Sequence, residues 1–133
     1  MTDLERAREF FAADRYATEA TGIEIIAVGE HYAKCELKIE GRHKNAVGHV
    51  MGGVMFTMAD FVFAVATNFD APSPTVTVTS NICYLASPRG NTLYGETKLL
   101  KDGKRNCFYE ITITDDNGTT AAIVTVSGAH LSQ

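Results

Sequence analysis

The segment between Asn45 and Asp60 holds the residues of this sequence best suited to chemistry. Asp60 is the only charged residue of the apolar run 52–69, which opens with Gly52-Gly53. Desolvating an isolated carboxylate is costly, so a carboxylate in such surroundings needs a partner, a shifted pKa or a site to serve. Asp60 is therefore the first candidate for a general base or nucleophile, and a capping or solvent-facing carboxylate is the structural alternative.

The Gly52-Gly53 pair and Asn45 add two further groups that acyl transfer requires. Backbone N–H groups at a helix start lack helical partners, and glycine lets a ligand oxygen approach them, so the Gly53 amide is a candidate oxyanion donor. The Asn45 side chain can hold a water or a substrate carbonyl. Each residue also has an ordinary interpretation, since Gly-Gly permits a tight entry into a helix and loop asparagines often form turns. Together with Asp60 they offer a positioned water, an oxyanion site and a base.

Other catalytic and metal chemistries find less support in the sequence. There is no G-x-S-x-G motif, and Cys35, Cys83 and Cys107 fall in strand-like segments where small buried cysteines are common. The cysteines are odd in number and widely separated, which favours a reduced, cytoplasmic protein over a disulfide scaffold. The four histidines lack the paired spacing of zinc ligands, so we expect no metal.

Charge and hydropathy exclude further classes of function. The 12 Lys and Arg residues are outnumbered by 16 Asp and Glu residues, and no basic face is evident, so we expect no nucleic-acid partner. The charged N-terminus lacks the apolar core of a secretory signal. The run 52–69 carries Asp60 at its centre and polar residues around it, which favours a buried helix of a soluble domain over a membrane span.

Periodicity and turn signals predict the elements that must position these residues. The predicted helices cover 2–15 and 52–69. The predicted strands cover 23–28, 32–40, 75–84, 92–100, 105–114 and 119–130. Thr2 with Glu5 makes a capping box for the first helix, and Pro72 and Pro74 follow the end of the second. The last three strands are separated by Asx-Gly turns, which predict an antiparallel meander.

This order of elements predicts an α+β fold in one domain covering 1–133, a curled antiparallel sheet packed on a single buried helix. Such a sheet leaves a strand edge unpaired. Because long apolar edges are usually covered, we expect a homodimer that continues the sheet.

The residues discussed above also carry a family resemblance. The stretch from Asn45 through Gly48, Met51-Gly52-Gly53 and Asp60 resembles the N-x-x-G-x-x-H-G-G-x-x-x-x-x-x-D signature of hotdog-fold acyl-CoA thioesterases related to the phenylacetate-degradation protein PaaI. The likeness continues over 80–93, where Pro88-Arg-Gly-Asn-Thr-Leu is similar to a family turn.

The resemblance implies a sheet wrapped around a central helix, two subunits with joined sheets, and two active sites at the dimer interface, with further pairing into tetramers. It implies that Asp60 is catalytic, that Gly53 provides the oxyanion amide, and that Asn45 and Thr77 orient water. Asp60 would come from the partner subunit. The substrate would be an acyl- or aroyl-CoA thioester, with no other cofactor.

The sequence identifies residues that would bind the rest of the substrate less clearly than it identifies the catalytic candidates. The candidates are basic residues near two turns, which would meet the CoA phosphates, together with the first glycine of the helix. They are Gly52, Arg89, Lys101, Lys104 and Arg105. Since lysines and arginines near turns are usually solvated, this set has a strong structural alternative.

One departure from the family pattern is Met51, which stands where the signature has histidine. A thioether can neither donate nor accept hydrogen bonds as an imidazole does. Two alternatives are open for His49, which either takes that role or is an ordinary loop histidine. The leading function is thus thioester hydrolysis, and the alternative is a weakly active or non-catalytic acyl-CoA-binding module. A hotdog dehydratase would require a histidine beside the carboxylate, and the helix contains none.

Overall fold

The computed structural model describes residues 1–132 as one antiparallel sheet and two α-helices. The helices are α1 (Asp3–Phe11) and α2 (Gly52–Asn68). The strands are β1 (Glu24–Gly29), β2 (Tyr32–Lys38), β3 (Thr75–Tyr84), β4 (Thr92–Asp102), β5 (Asn106–Asp115) and β6 (Thr120–His130). A π-helical turn, Tyr16–Thr21, follows α1, and a 3₁₀ turn, Gly41–His43, follows β2.

The six strands lie in the order β1-β2-β4-β5-β6-β3, and every neighbouring pair is antiparallel. Helix α2 contacts all six strands, so the sheet curls around it. The predicted α+β architecture of a sheet wrapped on one helix is confirmed. Each predicted strand is also present within a few residues of its expected limits, because alternation and Asx-Gly turns are local signals.

The first predicted helix is too long. Thr2 caps α1 by accepting a hydrogen bond from the Glu5 N–H at 3.1 Å, as the capping box predicts, but α1 ends at Phe11. The chain then turns, with the Asp14 N–H bonded to the Phe11 carbonyl, and enters the π-helical turn 16–21. Tertiary packing of this second turn against α2 overrides the helical pattern that continues to residue 15.

Helix α2 has the predicted extent, but a single chain does not cover it on every side. Its core face is buried, and this face comprises Met55, Met58, Ala59, Phe61, Val62, Phe63, Val65 and Ala66. The opposite stripe runs through Gly53, Thr57, Asp60 and Ala64, and Gly53 and Asp60 on it are exposed. The expectation of a helix buried on every side therefore holds only for its core face, because the sheet of one chain wraps only part of the helix circumference.

Strand β3 forms one edge of the sheet and is exposed along most of its length. Its alternation predicted one polar and one apolar face, yet Val76 and Val78 are 43% and 58% exposed. Cys83 is exposed as well, which corrects the expectation of a buried cysteine there. Within residues 1–132 only β6 pairs with this strand, so its outer edge keeps free N–H and C=O groups.

None of the helices within residues 1–132 is long and apolar enough to cross a membrane.

Candidate active site

The N-terminus of α2 is built on a loop that is fastened to the rest of the chain. The buried His43 accepts a hydrogen bond from the Glu40 N–H at Nδ1, 2.9 Å away, and its Nε2 lies 2.7 Å from the Thr21 carbonyl oxygen. This pair of contacts assigns the ring proton to Nε2. The His43 carbonyl then accepts the Met51 N–H at 2.9 Å. The start of α2 is thereby held against the π-helical turn.

The two glycines at the start of α2 have different surroundings. The Tyr84 hydroxyl donates to the Gly52 carbonyl at 2.9 Å, and a Cβ on Gly52 would lie 2.8 Å from the Tyr84 ring. A Cβ on Gly53 would meet no atom within 4 Å. Met51 caps the helix without a side-chain hydrogen bond, and the first N–H groups of a helix have no intrahelical acceptor. The space beside the Gly53 Cα is therefore open, and its N–H belongs to the first turn at the positive end of the helix dipole.

Asp60 lies two turns further along the open stripe of α2. Partial burial of the carboxyl and the negative charge of Asp14 raise the pKa of Asp60 above its ordinary value, and a hydrogen bond from Thr77 opposes the rise. Asp14 belongs to the turn after α1, and Thr77 belongs to the edge strand β3. Three distant parts of the sequence thus meet at one carboxylate, and the Asp60–Thr77 pair predicted as part of a site is brought together within one chain.

The open stripe of α2 is bordered by two adjoining grooves. One, of about 290 Å³, is lined by Asp14, Tyr16, Thr57 and Asp60 among others. The other, of about 360 Å³, is lined by Tyr16, Thr57, Gly53 and Met51 among others. Since Tyr16 and Thr57 line both, the grooves form one continuous surface from the glycine amide to the carboxylate. Met51 is 55% exposed there, so its thioether occupies the mouth of the groove.

Asn45 lies in neither groove and serves as a turn residue in the single chain. Its side-chain oxygen accepts the N–H groups of Val47 and His49, each at 3.1 Å. This is the turn-forming alternative weighed for it, and it leaves only the side-chain NH₂ to donate elsewhere. His49 contacts the Ser87 hydroxyl through Nδ1 at 3.1 Å, so its ring is directed to the loop after β3.

The four basic residues expected near the CoA phosphates do not form one cluster. Arg89 precedes β4, and its backbone N–H donates to Asp115 at 2.7 Å. Lys101, Lys104 and Arg105 lie at the opposite end of β4. Because β4 has 11 residues, its ends are roughly 33 Å apart. Within one chain Arg89 therefore cannot meet the same phosphate as the other three, because consecutive turns of an antiparallel sheet lie at alternate ends of the strands.

Another cavity, of about 630 Å³, lies at the C-terminal end of α2, away from the open glycines. A hydrogen-bonded chain lies among its lining residues, with Thr75 Oγ1 2.7 Å from His130 Nδ1 and His130 Nε2 2.8 Å from Asp102 Oδ1. Of the predicted site residues only Lys104 lines this cavity. In the part of the chain that the structure describes, no three His, Cys, Asp or Glu side chains are grouped to hold a metal ion.

The two buried cysteines, Cys35 and Cys107, are poor candidates for nucleophilic chemistry. Burial raises the pKa of the Cys35 thiol to about 12, and burial with the charge of Asp102 also raises the pKa of Cys107. A thiol with a raised pKa forms little thiolate at neutral pH. Sequence reasoning missed Asp14, Tyr16 and Tyr84. No spacing rule connects them to Asp60 or to the glycines, because they lie on elements far away in the sequence.

Comparison with known proteins identifies the family to which the chain belongs. Residues 47–122 match the Thioesterase superfamily. The chain is 28% identical over 110 residues to acyl-coenzyme A thioesterase 13 of Homo sapiens, covering 81% of this chain and 76% of that protein. It is 28% identical over 109 residues to acyl-coenzyme A thioesterase PaaI of Escherichia coli, covering 79% and 75%.

A solved structure shows the same fold. It is a hypothetical thioesterase with coenzyme A from Streptococcus pneumoniae, which superposes with a TM-score of 0.82 at 19% identity and covers 92% of this chain and 98% of that one.

The curled sheet, its central helix and the family match define a hotdog-fold enzyme of α+β class. The chain belongs to the Thioesterase superfamily and is a thioester hydrolase related to PaaI.

Proposed function

We propose that the protein hydrolyses acyl-CoA or aroyl-CoA thioesters to the free acid and CoA. The observation that carries the proposal is the open stripe of α2, which presents the Gly53 backbone and an Asp60 carboxyl with a raised pKa on one surface that a second subunit can approach. Two relatives bear the name acyl-coenzyme A thioesterase, and a structural neighbour was solved with coenzyme A. These names supply the CoA thioester as the substrate class.

The proposed reaction places the thioester carbonyl oxygen on the Gly53 N–H. The Asp60 carboxylate takes a proton from a water as the water oxygen bonds to the carbonyl carbon, and the carbonyl electron pair moves to the oxygen facing the amide. Collapse of this tetrahedral species breaks the C–S bond. The departing thiolate takes the proton back from Asp60, which regenerates the carboxylate. In the alternative mechanism the Asp60 carboxylate attacks the carbonyl carbon itself, and the C–S bond breaks as an anhydride forms and the CoA thiolate leaves. Water then cleaves the anhydride to the free acid and the Asp60 carboxylate, and the thiolate takes the proton released.

The complete site is proposed to need two subunits. Asn45 lies outside the Asp60 groove of its own chain, and β3 presents an uncovered apolar edge with Val76 and Val78. Joining two β3 edges would cover these valines and bring the Asp60–Thr77 pair of one subunit toward Gly53 and Asn45 of the other. Light scattering at the assay concentration should find a homodimer or homotetramer, and an active monomer would contradict the arrangement.

The phosphates of CoA are proposed to contact Lys104 and Arg105, with Lys101 nearby. All three side chains are exposed near the β4–β5 turn, and Arg89 is too far from them to share one phosphate. The double variant Lys104→Ala/Arg105→Ala should raise KM for CoA esters, more at low than at high salt, because exposed charges are screened. A matched change of Lys38→Ala on β2 should leave KM unaltered.

The second candidate function is an acyl-CoA-binding module with little turnover. Met51 favours it, because a thioether at the groove mouth replaces an imidazole that orients polar groups in the family signature. A panel of aliphatic and aromatic CoA thioesters, assayed by release of free thiol, distinguishes the two functions. Hydrolysis of any panel member supports the enzyme. Tight binding of the esters with no thiol released would support the module.

A further inference from the structure

The peptide group that joins Gly52 to Gly53 carries both the contact with Tyr84 and the proposed oxyanion donor. Its carbonyl is the Gly52 oxygen, which accepts the Tyr84 hydroxyl at 2.9 Å. Its N–H is that of Gly53. Because a peptide group is planar, a contact that holds the carbonyl also fixes the direction of the N–H on the same plane.

The Tyr84 ring is packed directly over this peptide. A Cβ on Gly52 would lie 2.8 Å from both the ring carbon Cζ and the hydroxyl oxygen of Tyr84, so only glycine admits the ring at this distance. The Gly53 side of the same peptide has no atom within 4 Å of a hypothetical Cβ. One glycine is thus required by an internal contact and the other leaves space for a ligand.

Tyr84 is also well placed to transmit rigidity from the sheet to the helix start. It is the last residue of β3, and it pairs with Ala122 of β6 in the sheet register. The N–H of the following residue, Leu85, donates a hydrogen bond to the Ala121 carbonyl at 2.8 Å. The hydroxyl therefore projects from a backbone held on both sides of the residue.

We infer that Tyr84 is a positioning residue for thioester hydrolysis, which orients and polarises the Gly52–Gly53 peptide so that the Gly53 N–H is aimed at the developing oxyanion. Hydrogen bonding to a carbonyl strengthens donation by the N–H of the same peptide. The effect is useful in the transition state, where the carbonyl oxygen carries most charge. The inference deepens the proposed function and rests on it.

The test compares Tyr84→Phe with the unaltered protein. This change keeps the ring over Gly52 and removes only the hydroxyl. We expect kcat to fall about tenfold with KM unchanged, less than the 10²–10³-fold lost when an oxyanion donor is deleted. The melting temperature should stay within about 2 °C of the unaltered value, as for an exposed hydrogen bond. Tyr94→Phe on β4, whose ring faces Lys34, is the matched control and should leave both constants unchanged.

A second variant, Gly53→Pro, separates this inference from the proposed function. Proline is tolerated in the first turn of a helix and removes the N–H itself. We expect Gly53→Pro to lower kcat more than Tyr84→Phe does, and the double variant to be no worse than Gly53→Pro alone, because no N–H remains to be oriented.

Three results would count against these assignments. If Gly53→Pro lowers kcat and Tyr84→Phe does not, the role of Tyr84 is wrong and the proposed function stands. If folded Gly53→Pro retains full kcat, the oxyanion assignment itself is wrong. If Tyr84→Phe instead raises KM or lowers the melting temperature at unchanged kcat, the tyrosine is a structural contact only. Should Gly53→Pro not fold, the kcat of Tyr84→Phe decides alone, since its ring packing is intact.

Discussion

Two carboxylates of this protein, Asp115 and Asp60, have opposite environments. Asp115 is 3% exposed and accepts four backbone N–H groups. Arg89 and Gly90 donate to one oxygen at 2.7 and 3.2 Å, and Asn117 and Thr119 donate to the other at 3.0 and 2.8 Å. Burial by itself raises the pKa of Asp115, but the four donors outweigh it, and the pKa lies below its ordinary value.

At Asp60 the same two effects on the pKa, burial and hydrogen bonding, have the opposite outcome. Its pKa is raised by partial burial and by the charge of Asp14, and only Thr77 provides an opposing hydrogen bond. A carboxylate whose lone pairs are all used by the backbone is a structural element that stays ionised. A carboxylate on an open helix face with one hydroxyl partner keeps lone pairs for a proton or a carbonyl carbon. The number of fixed donors, more than burial, separates the two roles.

The largest expected effect comes from Asp60→Asn. This change removes the charge and keeps the volume, so kcat should fall roughly 10²–10⁴-fold, the scale of a lost general base, while KM changes little. Steady-state hydrolysis of a CoA thioester measures it. Asp70→Asn, which removes an exposed partner of Arg6 near the other end of α2, is the matched control and should retain activity.

A structural role for Asp60 predicts the opposite pattern. The specific activity of the folded variant would then be nearly intact and its stability reduced, and that outcome would falsify the mechanism. Single turnover in ¹⁸O-labelled water separates the two orders of steps. Label in the Asp60 carboxyl indicates an anhydride, whereas label only in the product acid indicates attack by water.

Asp115→Asn should affect stability instead of catalysis. The amide NH₂ would face two backbone N–H donors, so we expect a loss of about 1–3 kcal/mol in the free energy of unfolding at pH 7, measured by urea denaturation. The kcat of the folded variant should be unchanged. A loss of kcat without a loss of stability would break the contrast with Asp60.

The same substitution has a pH dependence that follows from the sign of the pKa shift. Because the folded pKa of Asp115 is lowered, its contribution is fully present above the unfolded pKa of about 3.9 and is lost as the pH falls through the folded value. The stability difference between Asp115→Asn and the unaltered protein should therefore shrink at acid pH. A difference that is constant from pH 7 to pH 3 would contradict this account.

Asp14→Asn tests what raises the pKa of Asp60. The charged groups bordering the groove are Asp14, Asp60 and Arg15, and Arg15 is paired with Glu19 at 3.0 Å. Removing the Asp14 charge should lower the pKa of Asp60, so the acid limb of kcat/KM should move to lower pH while the rate at its plateau stays the same. High salt should reduce the shift. An unmoved acid limb would show that burial alone sets this pKa.

Met51→His has the smallest expected effect, a modest rise in kcat. The side chain is exposed at the groove mouth, so an imidazole there needs no repacking and can orient water or the loop. Thiol release at saturating ester is the measurement, and Met51→Gln is a control of similar size. An unchanged or lower rate would indicate that this loop is adapted to methionine.

Local features of the fold follow from the sequence alone. Thr2 caps α1, the two Asx-Gly turns separate the last three strands, and α2 begins at the glycine pair. These features depend on hydrogen bonds and periodicities within a few residues, which sequence patterns report directly. The same patterns predict a first helix that extends to residue 15, beyond the observed end of α1, because the π-helical turn after it depends on packing against α2.

The tertiary structure decided what surrounds each candidate site residue. Strand order alone puts β3 at an edge of the sheet, where Thr77 reaches Asp60. Asn45 became a turn residue, and Tyr84 came to lie over Gly52. Such contacts join segments far apart in sequence. Their distances depend on how strands order and how side chains pack, and no periodicity within one segment encodes either.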